Sequence, residues 1–308
     1  MTLQQLEYII AVNEYGHFGK AADACGITQP TLSLMIKKLE EELDIQIFDR
    51  DTHPVKATEF GQKIIDKARV VLFNSNQLVE MTKTEKELAS GDVNIAMIST
   101  VAATLIPGIF KHIGTNYPEV HPIIQEAPAD SIIEKLKRAE IDLGIVVSPI
   151  NDPELLEIPL YHEKFMAYVS PDYPLYKKEA LDSTKLLDHP IWIMKDGIRQ
   201  FDRSMLTEGE QFTYDRMYEG GRAGTLIYIV NQMGGLTIVP ELHKDLILFS
   251  MQTNLRPIKN PEVRRTLSMI IRKDFIHETM LNIVIEAIKS TIPVENQENV
   301  IRKGHLTL

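Results

Sequence analysis

Apolar and polar positions divide the chain into stretches with different periods. Over residues 1–58 the apolar residues recur at helical spacing in short runs. The first run, Thr2 to Tyr15, places Leu3, Leu6, Ile9, Ile10 and Asn13 along one side, and Gly16 suits its C-terminal cap. In "FGKAADACG", Phe18, Ala21, Ala22 and Cys25 form a stripe of mostly small residues, which lets a second helix approach closely. Gly26 ends that helix in a tight turn. The third helix starts at Thr28, a good N-cap, and tolerates Pro30 in its first turn. Its buried stripe is Leu32, Ile36, Leu39 and Leu43. "IQIFDRDTHPVKATEFG" then reads as two short extended runs around a polar turn.

Residues 59–90 contain no proline, and their one glycine, Gly61, sits in the first turn of a helix that Thr58 caps. Phe60, Ile64, Ile65, Ala68, Val71, Leu72, Leu78 and Val79 recur at helical spacing, which predicts one long amphipathic helix. It is too apolar to stand alone, and the simplest partner is the same helix of a second copy. From residue 91 to 300 the pattern changes again. "VNIAMI" precedes a helix over Ala102 to Thr115, "PIIQEA" precedes "DSIIEKLKRAE", and "DLGIVV" follows. This alternation predicts a largely parallel sheet with helices on its faces. "EKFMAYVS", "HPIWIM", "LTIVP", "RRTLSMII" and a final helix over Glu278 to Ile292 continue it. Roughly 210 residues is large for one α/β layer, so two subdomains joined by crossing strands are expected, 91–162 with 267–300 and 163–266, with a cleft at the strand ends. The polar tail from Pro293 is expected to be loose.

The third helix decides what the N-terminal part is for. Its outer side carries Gln29, Ser33 and Lys37, with Thr28 and Thr31 in the first turn. Short polar and amide side chains at a helix N-terminus suit base edges and phosphates. The wing after it offers Arg50, His53 and Lys56. Charge pulls the other way: residues 1–60 hold five basic and ten acidic residues, a net of −5. A DNA reader usually shows a basic face. A helical dimerisation module is therefore the competing reading, unless the positives share one face while Glu40 to Asp44 lie beyond the helix tip.

Composition narrows the classes. A hydrophobic share of 44% fits a globular protein, and no apolar run reaches the roughly 20 residues that cross a membrane. "MTLQQLEYII" lacks the features of a signal peptide, which predicts a cytoplasmic protein with no membrane partner. The net charge of −10 argues against a non-specific coat on nucleic acid. Cys25 is the one cysteine, so an internal disulfide and a cysteine metal cluster are excluded. His121, His162, His189, His243 and His277 are scattered without ligand spacing, and Glu126 and Asp130 are isolated. "GGRAG", Gly220 to Gly224, lacks the spacing and lysine of a phosphate loop, although its backbone suits close approach to a ligand. No metal or cofactor is expected, and no nucleophile–base pair points to an enzyme.

The stretch "LEYIIAVNEYGHFGKAADACGITQPTLSLMIKKLEEELDIQIFDR" resembles the N-terminal domain of LysR-type transcriptional regulators, with "AADACGITQPTLSLMIKKLEEEL" followed by "IFDR" its most specific part. The resemblance covers the whole chain. It implies a winged helix-turn-helix over 1–58, a linker and dimerisation helix over 59–90, and a two-lobed α/β effector domain over 91–300, like periplasmic solute-binding proteins. It also implies a homodimer or homotetramer on double-stranded operator DNA, with RNA polymerase as a further contact and a small polar or anionic effector. Carried over residue by residue, Thr28, Gln29, Pro30, Thr31, Ser33 and Lys37 match the DNA-contacting helix, and Arg50 matches a backbone contact. The chain departs from the family at His53, where the wing often carries arginine, and at Leu34, where a smaller residue is common.

In the effector half, a buried strand is expected to end at Ser99-Thr100 with a helix just after, so that hydroxyls and free N–H groups meet there. Ordinary N-capping explains the same residues. The resemblance favours an effector site at Ser99, Thr100 and Val101. The opposite lip is expected in "MKDGIRQFDRSM", which with "GGLTIVPEL" and "PEVRRTL" is most similar to the peroxide-sensing OxyR branch. That branch's two loop cysteines align with Arg199 and Glu208 here, its histidine with Ile198, and its aspartate with Asp202. The sensor fold is thus expected without its disulfide, as an effector-gated, a disulfide-free peroxide-related or a ligand-independent regulator. Arg199 has three readings: a grip on a small anion together with Thr100, an ion pair with Asp196, Asp202 or Glu208, or a solvated side chain.

Overall fold

The computed structural model describes residues 1–80, 89–189, 191–194, 216–218, 223–275 and 277–297. They form two compact units, the first containing residues 1–80 and the second most of the chain from Ala89 on.

The first unit opens with α1 (Leu3–Tyr15), capped by the Thr2 side chain and closed by Gly16 at φ 58°. α2 (Phe18–Ala24) follows, then a turn with Gly26 at φ +67°, then α3 (Gln29–Leu43). The buried side of α1 is Gln5, Leu6, Tyr8, Ile9 and Val12. Leu3 is exposed, and Ile10 and Asn13 are only half-buried. The stripe read from the sequence is therefore rotated, because α1 packs against three helices and buries a wider arc than one apolar row. Ala21 and Ala22 of α2 and Leu32, Ile36 and Leu39 of α3 are buried as expected, while Leu43 is half-buried at the helix end. β1 (Phe48–Asp49) and β2 (Lys56–Ala57) pair antiparallel to make the wing. The Val55 N–H donates to the Gly16 carbonyl at 2.9 Å, tying the wing to the first turn.

α4 (Glu59–Glu80) starts under the wing. A Cβ on Gly61 would lie 2.0 Å from the Ile47 carbonyl oxygen, so only glycine allows this approach. Ile65 and Ala68 of α4 join the core of α1–α3, whereas Phe60, Val71, Leu78 and Val79 are exposed.

The second unit is a ten-stranded mixed sheet flanked by helices. β3 (Gly91–Met97) leads into α5 (Ser99–Asn116), β4 (Val120–Glu126) into α6 (Ala129–Lys137), and β5 (Leu143–Val147) follows. β6 (Leu155–Val169) is one continuous strand. Then come β7 (Leu181–Asp182), β8 (Ile191–Met194), β9 (Arg216–Tyr218), α7 (Ala223–Met233), β10 (Leu236–Pro240), β11 (Leu255–Lys259), β12 (Arg264–Arg272), α8 (Glu278–Thr291) and the short α9 (Val294–Gln297). The main path runs β4-β3-β5-β12-β6-β10-β8-β9. β3 pairs parallel with β4 and β5, and β8 parallel with β9 and β10, as the alternating pattern predicts. β6 and β12 depart from it: they pair antiparallel over Leu155–Lys164 and Arg264–Arg272, and β12 also pairs antiparallel with β5. Beyond that pairing β6 continues as the antiparallel neighbour of β10 and β11, so one strand belongs to both halves of the sheet.

Candidate DNA-reading surface and effector cavity

On α3, the Thr28 side chain caps the helix by accepting from the Thr31 N–H, and the two hydroxyls lie 2.8 Å apart. Thr28, Gln29, Pro30, Thr31 and Lys37 are exposed and Ser33 is half-buried. Lys37 sits 3.6 Å from Glu41, a surface pair that holds it only weakly. The core thus orients α3 by Leu32, Ile36 and Leu39 and leaves the sequence-predicted contact residues available on its outer surface.

The wing residues differ among themselves. His53 and Lys56 are exposed. Arg50 is engaged: it donates to Glu40 at 2.9 Å, and its guanidinium lies 5.4 Å from the centre of the Phe18 ring. The second Glu40 oxygen accepts from the backbone N–H groups of Ile47 and Phe48. Glu40 therefore builds the wing rather than pointing away from it, which the sequence reading did not foresee. Cys25 is half-buried beside α3, and burial, with Glu7 adding, pushes its thiol up.

In the second unit β3 stops at Met97, Ile98 is the N-cap, and Ser99 and Thr100 already lie in the first turn of α5. The sequence reading started this helix three residues later, because Ser and Thr read as cap residues. Here Ile98 makes no side-chain cap. Val101 is fully buried. Thr100 is 8% exposed, and its hydroxyl accepts from Arg265 Nη1 at 2.8 Å. Its carbonyl accepts from Arg265 Nη2 at 3.2 Å and from His243 Nε2 at 2.8 Å. Since a carbonyl only accepts, the His243 proton is on Nε2.

Arg265 in turn donates from Nε to Glu163 at 2.7 Å. The two residues face each other in register across β12 and β6, and Phe165 stacks beneath the guanidinium at 5.5 Å. All four polar side chains are buried. Burial pushes the Glu163 carboxyl up against the pull of Arg265 and of the Leu242 N–H. Burial also lowers His243 to about 4, opposed by its bond to Thr100 and assisted by Arg265, so the ring is neutral near pH 7. Tyr161, two residues before Glu163, has a buried hydroxyl with no hydrogen-bond partner among the described residues.

A cavity of about 550 Å³ opens beside this network. Ser99, Ala103 and Glu126 form one side, and Ala223–Thr225 at the start of α7, with Ile227, form another; His243, Leu246 and Ile247 complete the described lining. Of these side chains, Glu126 alone carries a carboxyl group. A Cβ on Gly224 would meet nothing within 4 Å, so the glycine leaves open space.

Ser99 lines the cavity, while Thr100 and Val101 lie behind it. Ile198, Arg199, Asp202 and Glu208 lie outside the described residues. The guanidinium that meets Thr100 is Arg265, inside the "PEVRRTL" stretch but not singled out from the sequence. Glu163 and His243 were also missed as site residues. Their common signal is a charged or titratable residue within or next to a strand pattern, too frequent to isolate without knowing the β6–β12 register. Among the described residues no group of His, Cys, Asp and Glu is arranged to hold a metal, and no helix is long and apolar enough to cross a membrane.

Residues 3–62 match the family model described as the bacterial regulatory helix-turn-helix protein of the lysR family, and residues 86–292 match the LysR substrate binding domain. The chain is 29% identical over 275 residues to a hydrogen peroxide-inducible genes activator of Haemophilus influenzae, covering 88% of this chain and 91% of that protein. It is 29% identical over 282 residues to the DNA-binding transcriptional dual regulator OxyR of Escherichia coli K12, covering 88% and 90%. A full-length OxyR variant from Pseudomonas aeruginosa is similar in structure, with a TM-score of 0.81 at 26% identity over 94% of this chain and 98% of that one.

Proposed function

The chain belongs to the LysR family of transcriptional regulators, and on that premise we propose that a small molecule in the cavity beside Ser99 and His243 sets how it binds DNA. The protein is a DNA-binding transcriptional regulator and not an enzyme. The observation that carries the effector reading is the cavity itself: about 550 Å³, of a size with small-molecule sites, and walled mainly by apolar side chains. Ser99, Thr225, neutral His243 and Glu126 are the polar groups that would orient a ligand. The described lining offers a carboxylate and no basic side chain, and Arg265 is spent on Glu163. This favours a compact, polar but uncharged effector with an apolar body. An anion would need a cation from residues outside the described set, such as Arg199, which the sequence names as a candidate together with Ile198 and Asp202.

In this reading the regulator is a homo-oligomer, paired in part through the exposed Phe60, Val71, Leu78 and Val79 of α4. The domains are the winged head over 1–58, a linker over 59–90, whose described helix is Glu59–Glu80, and the effector domain over 91–300. On the DNA, Thr28, Gln29, Thr31, Ser33 and Lys37 face the groove and Lys56 and His53 the wing-side backbone. A regulator works where the DNA is, which puts the protein in the cytoplasm. The effector acts by binding one arrangement of the two lobes more tightly than another.

Gly224→Phe tests this. It adds bulk to the cavity at a position where an added Cβ meets no atom within 4 Å. A compound that raises the melting temperature of the wild-type protein and changes its DNA footprint should do neither in Gly224→Phe, which should still bind DNA. A ligand-induced change that survives Gly224→Phe would sink the cavity as the sensor. A second reading, an oxidative-stress regulator without a disulfide switch, draws on the peroxide-inducible relatives. The single thiol, Cys25, is a poor peroxide nucleophile, since its pKa is raised rather than lowered. A DNA footprint unchanged by peroxide would remove this second reading.

A further inference from the structure

On the reading helix one side chain has no polar task. Leu34 is 54% exposed. Its position is about half a turn round α3 from the buried Leu32, Ile36 and Leu39, so it stands at the middle of the outward face. Its helical neighbours on that face are Pro30 and Thr31 one turn before and Lys37 and Lys38 one turn after, all of them exposed. A leucine there contributes nothing to the core of the head, and it leaves apolar surface in water. The two flanking lysines argue against an apolar protein partner and for a phosphate-bearing one. Other exposed apolar residues that could meet a second copy lie elsewhere, Phe60, Val71, Leu78 and Val79 of α4 among them.

We propose that Leu34 reads sequence by packing on the C5-methyl group of thymine in the major groove. The inference rests on the DNA-binding role of the head and is independent of the effector reading. The thymine methyl is the one apolar group that the four base pairs present on their major-groove edges. A leucine centred on the reading face gains contact there. Against the amino group of cytosine or the edge of guanine it covers a donor or acceptor that it cannot satisfy, which adds discrimination to attraction. Thr28, Gln29, Thr31, Ser33 and the two lysines then supply register and hydrogen bonds around it.

The test uses the full-length protein. Duplexes that it binds are selected from a random-sequence pool, and each thymine of the winning site is replaced singly by deoxyuridine, which removes only the methyl group. At one or two positions wild-type affinity should fall about four-fold per methyl lost. Leu34→Ala should show no uridine penalty at those positions, while Leu34→Met, which keeps an apolar reach, should retain most of it. Leu34→Ala selected on the same pool should lose its preference for thymine at the same positions. Equal uridine penalties in wild type and Leu34→Ala, or no position with a penalty in wild type, would overturn the assignment. So would a Leu34→Met protein that binds DNA well and has lost the penalty.

Discussion

Two helix beginnings in this protein carry the same residue types and end in opposite surroundings. At the start of α3, Thr28 caps its own helix through the Thr31 N–H and stays in water beside other exposed polar side chains. At the start of α5, the cap residue is Ile98, and Thr100, two residues further in, is buried and engaged by Arg265 and His243. The local sequence signal is a hydroxyl near a helix N-terminus in both places. What differs is what the rest of the chain brings there. Among the described residues nothing packs on the outer side of α3, whose Thr28, Gln29, Thr31, Leu34 and Lys37 are exposed, so its first turn is open to a partner. α5 begins beside the paired strands β6 and β12, so its first turn receives an internal guanidinium, and that guanidinium arrives already neutralised by Glu163. The hydroxyl that looked like half of an anion grip is instead one bond of a buried network, and the open space lies beside it, at Ser99.

The sharpest way to break this comparison is to take away the internal cation. Arg265→Ala leaves Glu163 buried without its partner, and removing one member of a buried pair costs about 3–5 kcal/mol. Trp192, the only tryptophan, sits on β8 in the second unit, so its fluorescence during urea unfolding reports that unit alone. The unfolding midpoint should fall strongly in Arg265→Ala. Replacing both residues, with Glu163→Leu and Arg265→Met, should cost less than either single change, because no uncompensated charge is left. If the double variant is no better than the singles, the network is not held by charge pairing and the contrast with α3 loses its basis.

Much of the first unit was legible because local rules suffice there. Thr2, Gly16, Gly26 and Thr28 mark helix ends by their own chemistry, and the small-residue stripe of α2 announces close packing. The arc of α1 was missed by part of a turn, since Gln5 is buried through a bond from its side chain to the Met35 carbonyl, a contact that no single-helix pattern contains. Glu40 was misjudged for the same reason: its helix position says solvent, but the wing folds back and supplies two N–H groups and a guanidinium. In the second unit most strands and helices were legible, but β7, β11 and the first half of β6 were not, and neither was the polar network. Glu163 and Arg265 are about a hundred residues apart, and they meet only because two long strands pair in one register. Periodicity shows that each strand exists and says nothing about which residues oppose each other.

The imidazole in that network gives a pH test of the buried side of the comparison. His243 falls from 6.5 to about 4 on folding, chiefly through burial. Between those values the unfolded chain binds a proton that the folded one refuses. Stability contributed this way is therefore fully present above pH 6.5 and is lost as the pH drops toward 4. The loss amounts to about 3 kcal/mol for this one group. Urea unfolding followed by Trp192 should show its midpoint falling across that window, and His243→Gln, which keeps a donor for the Thr100 carbonyl and does not titrate, should flatten the fall. An identical pH dependence in wild type and His243→Gln would mean that other groups govern the window.

The smallest effect belongs to the exposed helix start and is the most telling for the contrast. Thr28→Ala removes a cap worth about 1 kcal/mol, and nothing buried is left unsatisfied because water reaches the freed N–H groups. Thr100→Val removes a hydroxyl of the same size and takes from the buried Arg265 guanidinium the acceptor that this hydroxyl gives it, a cost of about 2 kcal/mol. The two variants should also separate by readout. Thr100→Val should lower the midpoint seen by Trp192 and leave specific DNA affinity at saturating protein concentration nearly unchanged. Thr28→Ala should leave the Trp192 transition where it is, reduce helix content only slightly, and weaken DNA binding, because the Thr28–Thr31 pair orders the first turn of the reading helix. The exposed hydroxyl is then measured by what it presents to a partner and the buried one by what it satisfies within the fold. If Thr28→Ala binds every selected duplex as tightly as wild type, the first turn of α3 is a cap and no more, and base reading must begin further along the helix, at Ser33 and Leu34.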